Sequence, residues 1–167
     1  ECGQSTDPND TGFPTTSDSC SGSFFSSAKG HNPPPSVAGV SVTYSDSEAP
    51  ACGSTKTITR TWTATDTCGL SSTADQIITV EDHTAPTIDT PASDLTVECD
   101  GAGNSSELNA WLDSHGGASA SEGCGNITWV NDFTPVSALC GSILVTFTAH
   151  DECNNFAITS ATFTPPS

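Results

Sequence analysis

Two stretches of this chain alternate apolar and hydroxylated side chains and then end in the same turn. Residues 56–66 put Ile58, Trp62 and Ala64 on one side and Thr59, Thr61, Thr63 and Thr65 on the other, closing on TDTCG at 65–69. Residues 143–150 put Ile143, Val145, Phe147 and Ala149 together, closing on HDECN at 150–154. Alternation with a period of two, rich in β-branched residues, predicts strands with one buried face. The recurrence predicts a chain built from two related units.

The remaining pattern fills in around these strands. Further strands are predicted at 13–19, 40–45, 74–80, 87–88, 95–99, 118–121, 127–133 and 156–163, with a turn at 48–52. Residues 104–117 break the β pattern, because Leu108, Trp111 and Leu112 follow helical spacing. Asn104 is a candidate cap with Glu107 three residues on, and Gly116 and Gly117 are candidate terminators. Pro86 cannot continue a ladder and biases Ala85 to extended backbone, so the boundary is placed near it. The units predicted are 1–83 and 84–167. The pair Glu1-Cys2 matches Glu98-Cys99, which closes a strand, so the first unit is expected to lack that strand. Residues 21–39, with prolines at 33–35, have no counterpart in the second unit and are expected to form an inserted loop. The expected fold class is all-β: two tandem immunoglobulin-like β-sandwiches, stapled by disulfides, with one short helix in the second.

Composition sharpens this picture. Only 34% of the 167 residues are hydrophobic, so each unit has a thin core and gains from covalent staples. Eight cysteines can supply them, and such usage points to an oxidising compartment. The formal net charge of −17 argues against nucleic acid and anionic membranes as partners. No apolar run is long enough to span a bilayer. The sequence shows no signal peptide, and the chain is taken as a mature or excised segment.

The segments TWTATDTCG (61–69), ITVED (78–82) and TAPTI (84–88) resemble hyalin-repeat-like, immunoglobulin-like modules. In the second unit VECDG (97–101), LNAWL (108–112) and ITWVND (127–132) resemble a recurrent form of the same arrays. Such modules occur in tandem in large secreted bacterial surface proteins, including gliding-associated adhesins. The resemblance implies an extracellular, cell-surface setting and a structural or adhesive role. The inserted 21–39 segment and the missing strand depart from the pattern.

Strand direction predicts the cysteine pairing. Cys52 and Cys68 flank one strand, as do Cys140 and Cys153. At about 3.3 Å per residue such a strand holds its ends too far apart for a disulfide, which needs Cα atoms within about 7 Å. Cysteines at the same end of alternating strands are therefore paired: Cys2–Cys52, Cys20–Cys68, Cys99–Cys140 and Cys124–Cys153. Each closes a loop of roughly 30–50 residues, worth about 3–4 kcal/mol if unstrained. A zinc site is disfavoured, because no short Cys-x-x-Cys spacing exists.

Catalysis finds no support in motifs. His31, His83, His115 and His150 sit in no nucleophile, metalloprotease or phosphate-loop signature. The chain is expected to be non-enzymatic and to require no cofactor. Calcium is the candidate ion, with Asp66, Glu81, Asp82 and Asp151 as its ligands, since calcium takes many oxygen donors in turns. The competing reading has these aspartates capping their own turns. Asn9, Asn104 and Asn126 head glycosylation triplets. Trp62 and Trp129 are expected in the core, and Phe24-Phe25 is a candidate contact pair.

The expected function is a structural or adhesive repeat of an extracellular bacterial fibre or surface adhesin. Its partners would be copies of itself, neighbouring repeats or surface glycans, joined by β-strand addition with residues 157–166 as a candidate donor. The alternative is a carbohydrate-binding accessory module, which an exposed aromatic platform would favour.

Overall fold

The computed structural model describes residues 2–14, 39–98, 104–135 and 141–165. Cys20, Cys99, Cys140, nearly all of the 21–39 insertion and most of the strand expected at 13–19 lie outside them. The chain is all-β and sandwich-like with short helices, and it divides into Glu1–Glu81 and Asp82–Ser167.

In the first unit, β1 (Val40–Pro50), β2 (Lys56–Asp66) and β3 (Ser71–Val80) form an antiparallel sheet in the order β1-β2-β3. The central strand is the alternating stretch found in the sequence, and its burial alternates as expected. Ile58, Arg60 and Trp62 are buried, while Thr57, Thr59, Thr61, Thr63 and Thr65 face outward and are half-buried. β1 runs five residues further than expected, so the predicted 48–52 turn moves to the Ala51–Thr55 hydrogen bond.

A single turn of helix, α1 (Pro8–Thr11), covers the buried face. Hydrophobic periodicity does not predict this helix, because four residues are too few to show it. The missed signal is Asp7-Pro8: Asp7 accepts the Asn9 N–H at 2.8 Å as an N-cap, and proline occupies the first turn. Side chains then fasten the helix to the sheet. The Trp62 indole N–H donates to Gln76 Oε1 at 3.0 Å, and Gln76 Nε2 donates to the Thr11 carbonyl at 3.0 Å. Phe13 packs on Trp62 with ring centroids 5.6 Å apart.

The second unit contains β4 (Thr87–Thr90), β5 (Leu95–Thr96), α2 (Ser105–Asp113), β6 (Ser119–Ser121), β7 (Thr128–Asn131), β8 (Ile143–His150) and β9 (Phe156–Thr164). Its main sheet has the order β5-β9-β8-β7, with β5 parallel to β9, while β4 pairs with β6 separately. The inward residues Val145, Phe147, Ala161 and Phe163 meet Leu108, Trp111 and Leu112 of α2, so a helix supplies much of the second layer. Trp111 is the centre of this core. Its ring stands edge-on to Phe147 at 5.3 Å and lies 5.8 Å from Phe163, and its indole N–H donates to the Ser93 carbonyl at 3.0 Å.

Two expectations about this unit are corrected. Asn104 does precede α2, but in left-handed backbone (φ 55°) and without a side-chain cap bond; its amide instead donates to the Glu98 carbonyl at 2.6 Å. Residues 157–164 are not a free donor strand. They belong to β9, paired with β8 from His150–Phe156 to Ile143–Phe163, because their inward positions fill the unit's own core. Gly116 ends the helical region at φ +65°, where an added Cβ would come within 3.1 Å of Ala92 and 3.2 Å of Phe147.

Cys2, Cys52, Cys124 and Cys153 are each disulfide-bonded, which points to a non-cytoplasmic, oxidising environment. Cys68 carries a free, exposed thiol, so the expected Cys20–Cys68 bridge is not formed. Cys20 itself lies outside the described residues. Among the described residues no helix is long and apolar enough to cross a membrane.

Truncating Trp111 removes the side chain that joins α2 to both central strands. Trp111→Ala is expected to lower the stability of the second unit by about 3–5 kcal/mol in denaturant unfolding, while Trp62 continues to report an intact first unit.

Candidate functional site

The repeated turn is the first candidate, because it holds two of the four proposed calcium ligands. In the β2–β3 hairpin, Asp66 Oδ1 accepts the N–H groups of Cys68 and Leu70, both at 2.9 Å. In the β8–β9 hairpin, Asp151 Oδ1 accepts the N–H groups of Cys153 and Asn155, both at 2.8 Å. The backbone closes alike in both: Asp66 N–H bonds to Leu70 O at 2.9 Å and Asp151 N–H to Asn155 O at 3.0 Å. Both turns pass through left-handed backbone three residues after the aspartate, at Gly69 (φ 83°) and Asn154 (φ 72°). Glycine and asparagine are the residues that tolerate this conformation most readily. The D-x-C-G/N repeat is therefore the chemistry of a capped hairpin turn.

The second turn is more strongly tied. Asn155 Nδ2 donates to Asp151 Oδ2 at 2.7 Å and to the Asp82 carbonyl at 3.2 Å, while Asp82 Oδ1 accepts the Thr84 N–H at 3.0 Å. Asp82 and Asp151 are both buried. Of the four candidate ligands, Asp66 serves the first unit's hairpin. Asp82 and Asp151 belong to one network in the second unit, linked through Asn155. Glu81 is exposed. Each of the three aspartates is already engaged by backbone N–H groups in its own loop, the local role weighed against calcium.

The second candidate is an open cleft of about 380 Å³ in the first unit, lined by Asp7, Asn9, Phe13, Val42, Tyr44 and Trp62 among others. Phe13 and Trp62 form its floor and are buried, whereas Tyr44 stands at the side 49% exposed, 5.2 Å from Trp62. Beneath these rings lies Arg60, only 2% exposed. Its guanidinium sits 4.4 Å from the Tyr44 ring centroid and 5.9 Å from that of Trp62. Arg60 Nε and Nη2 donate to the two Asp46 carboxylate oxygens at 2.8 and 2.7 Å, and Nη1 donates to Thr11 Oγ1 at 3.3 Å. This is a fork-on-carboxylate pair, the geometry in which arginine is most strongly fixed. Hydrogen bonding to Arg60 holds the Asp46 carboxyl below the usual aspartate range, and the same bond raises Arg60 further.

Trp62 is buried, as its place on the alternating strand predicts, and no local pattern in the sequence marks the cleft above it. Tyr44 was legible only as one apolar position of a strand, and Arg60 interrupts an apolar stripe. Trp129, expected in the core, is half-buried: it packs against the second unit's core from its edge and stacks on His115 at 4.8 Å. Among the glycosylation triplets, Asn104 is buried, Asn126 is exposed and Asn9 lines the cleft. Phe24-Phe25 and His31 lie outside the described residues.

No protein-family model matches this chain, and no curated protein matches it.

The two capped turns differ in burial and bond number, and their deletion costs should differ in the same sense. Asp66→Ala is expected to destabilise the first unit by about 1 kcal/mol, and Asp151→Ala the second by about 2–3 kcal/mol, measured by urea unfolding of each variant.

The Arg60–Asp46 pair gives a pH signature. A carboxyl held below its unfolded value adds stability above that value and loses it as pH falls through the folded one. Asp46→Asn is expected to cost about 3 kcal/mol at neutral pH, because it leaves a buried guanidinium without its counter-charge. The difference between the variant and the parent should shrink as pH drops below the usual aspartate range, read as the thermal midpoint across an acid titration.

Proposed function

We propose that this chain is a non-enzymatic structural or adhesive repeat unit of an extracellular bacterial fibre or cell-surface adhesin. The observation that carries this reading is the same aspartate-capped hairpin turn, present in each of two disulfide-bearing all-β units. In such a design the acidic side chains best placed to do chemistry hold backbone instead. Repetition of a small stapled unit is a way to build length from thin cores.

Assembly by β-strand addition fits the first unit. Among its described residues β1 and β3 are both edge strands, and β1 is eleven residues long and exposed along most of its length. A long edge presents unpaired backbone groups to another extended segment. The partner strand comes from a neighbouring copy or repeat and not from 157–164, which are committed to β9. A contact of this head-to-tail kind does not close on itself and grows into a filament.

A second reading, a carbohydrate-binding module, is favoured by the half-exposed Tyr44 ring beside its cleft. The two readings are compatible, since an adhesive repeat needs something to adhere to.

Sedimentation velocity of the oxidised chain over a wide concentration range tests the assembly. Strand addition predicts mass that climbs with concentration, together with β1 amides that become protected from hydrogen exchange as oligomers form. A monomer at every concentration, with β1 exchanging freely, would retire it.

A further inference from the structure

We infer that the first-unit cleft is a binding site for a small uncharged sugar, stacked on Tyr44 and donating its hydroxyls to Asn9 and Asp7. The inference deepens the carbohydrate reading given above and rests on it, and it is independent of the structural-repeat reading. Failure of filament assembly would leave it standing, and its own failure would leave the scaffold reading standing.

The size fits first. A cleft of about 380 Å³ lies at the small end of ligand sites, suited to one or two sugar rings. An open side also lets a longer chain run out into solvent.

The polar groups favour a donor. Asn9 Oδ1 is shielded from solvent and has no hydrogen-bond partner. An acceptor in that state costs free energy until a donor reaches it. Asp7 uses Oδ1 to cap Asn9 N–H at 2.8 Å, and no protein donor to its other oxygen is seen among the described residues. An orphaned acceptor on one lining residue and an open carboxylate oxygen on another call for a ligand rich in N–H or O–H groups. Anions are excluded by Asp7 and by a net charge of −17.

The aromatic side separates sugars from cations. A cationic ligand gains most by sitting over an aromatic face. Here Arg60 already occupies that role against Tyr44 and Trp62 and is held there by Asp46. A second positive charge against the same rings would face the guanidinium. A neutral ring with an apolar C–H face meets no such penalty. It gains the contact area of a side chain that neighbours have already immobilised, so little conformational entropy is lost on binding.

The test is saturation-transfer NMR on the full oxidised chain with cellobiose, N,N′-diacetylchitobiose, lactose and maltose, alongside choline as the cationic probe. At least one disaccharide is expected to bind at up to about 20 mM, a range that matches a shallow site of this kind. Its affinity should be unchanged between low and high salt. Tyr44→Ala should weaken it at least about tenfold, a loss of about 1.4 kcal/mol. Because Tyr44 also packs on Arg60, Val42→Trp provides a second variant that fills the cleft while leaving the platform and the ion pair in place; it should abolish binding with an unaltered thermal midpoint. The inference is overturned if no disaccharide binds the folded chain, if binding survives both variants, or if choline binds in preference and is displaced by salt.

Discussion

The structure depends on one local arrangement: an aspartate carboxylate that takes the N–H groups two and four residues ahead of it. A strand's register fixes which of its side chains face inward, and a slip of one residue exchanges the two faces. In β2 such a slip would bury the outward threonines and expose Ile58 and Trp62. In β8 it would expose Val145 and Phe147. The capped turns at Asp66 and Asp151 pin that register at the point where each hairpin reverses. With cores this thin, there is little further hydrophobic contact to correct an error.

The two units complete their cores by different means. The second lays α2 across the sheet and closes around Trp111, an apolar solution with one indole N–H to satisfy. Among the described residues the first sheet is covered by one helical turn, and its buried stripe contains Arg60. A buried guanidinium is tolerated because Asp46 binds it in a fork and Thr11 takes a further N–H. Specificity of this polar kind demands that every member be in place. It also leaves the rim at Tyr44 and Val42 less covered, and there the cleft forms.

The groups that hold the first unit together and the ring it leaves exposed are thereby separated in space. The Trp62–Gln76–Thr11 relay and the Arg60–Thr11 bond hold α1 on the sheet, and Asp46 fixes Arg60 for that bond. Tyr44 rests on that support with much of its ring exposed. The support and the exposed ring together make a preorganised surface. The asymmetry also explains why the two alternating strands, similar in sequence, carry different chemistry: β2 holds Arg60 where β8 holds the wholly buried Val145.

The sequence by itself determined the strands and the turns. Alternation placed β2 and β8 within their observed bounds, helical spacing located α2, and D-x-C-G/N marked the hairpins, because each is a local property of a few neighbouring residues. It did not determine the cover of the first sheet, although Asp7-Pro8 announced a helical turn. Nor did it reveal the burial of Arg60 or the free thiol at Cys68. Those outcomes turn on which polar and sulfur atoms come within bonding distance across the sheet. Such distances are set by packing between segments remote in the chain, and only the tertiary structure decides them.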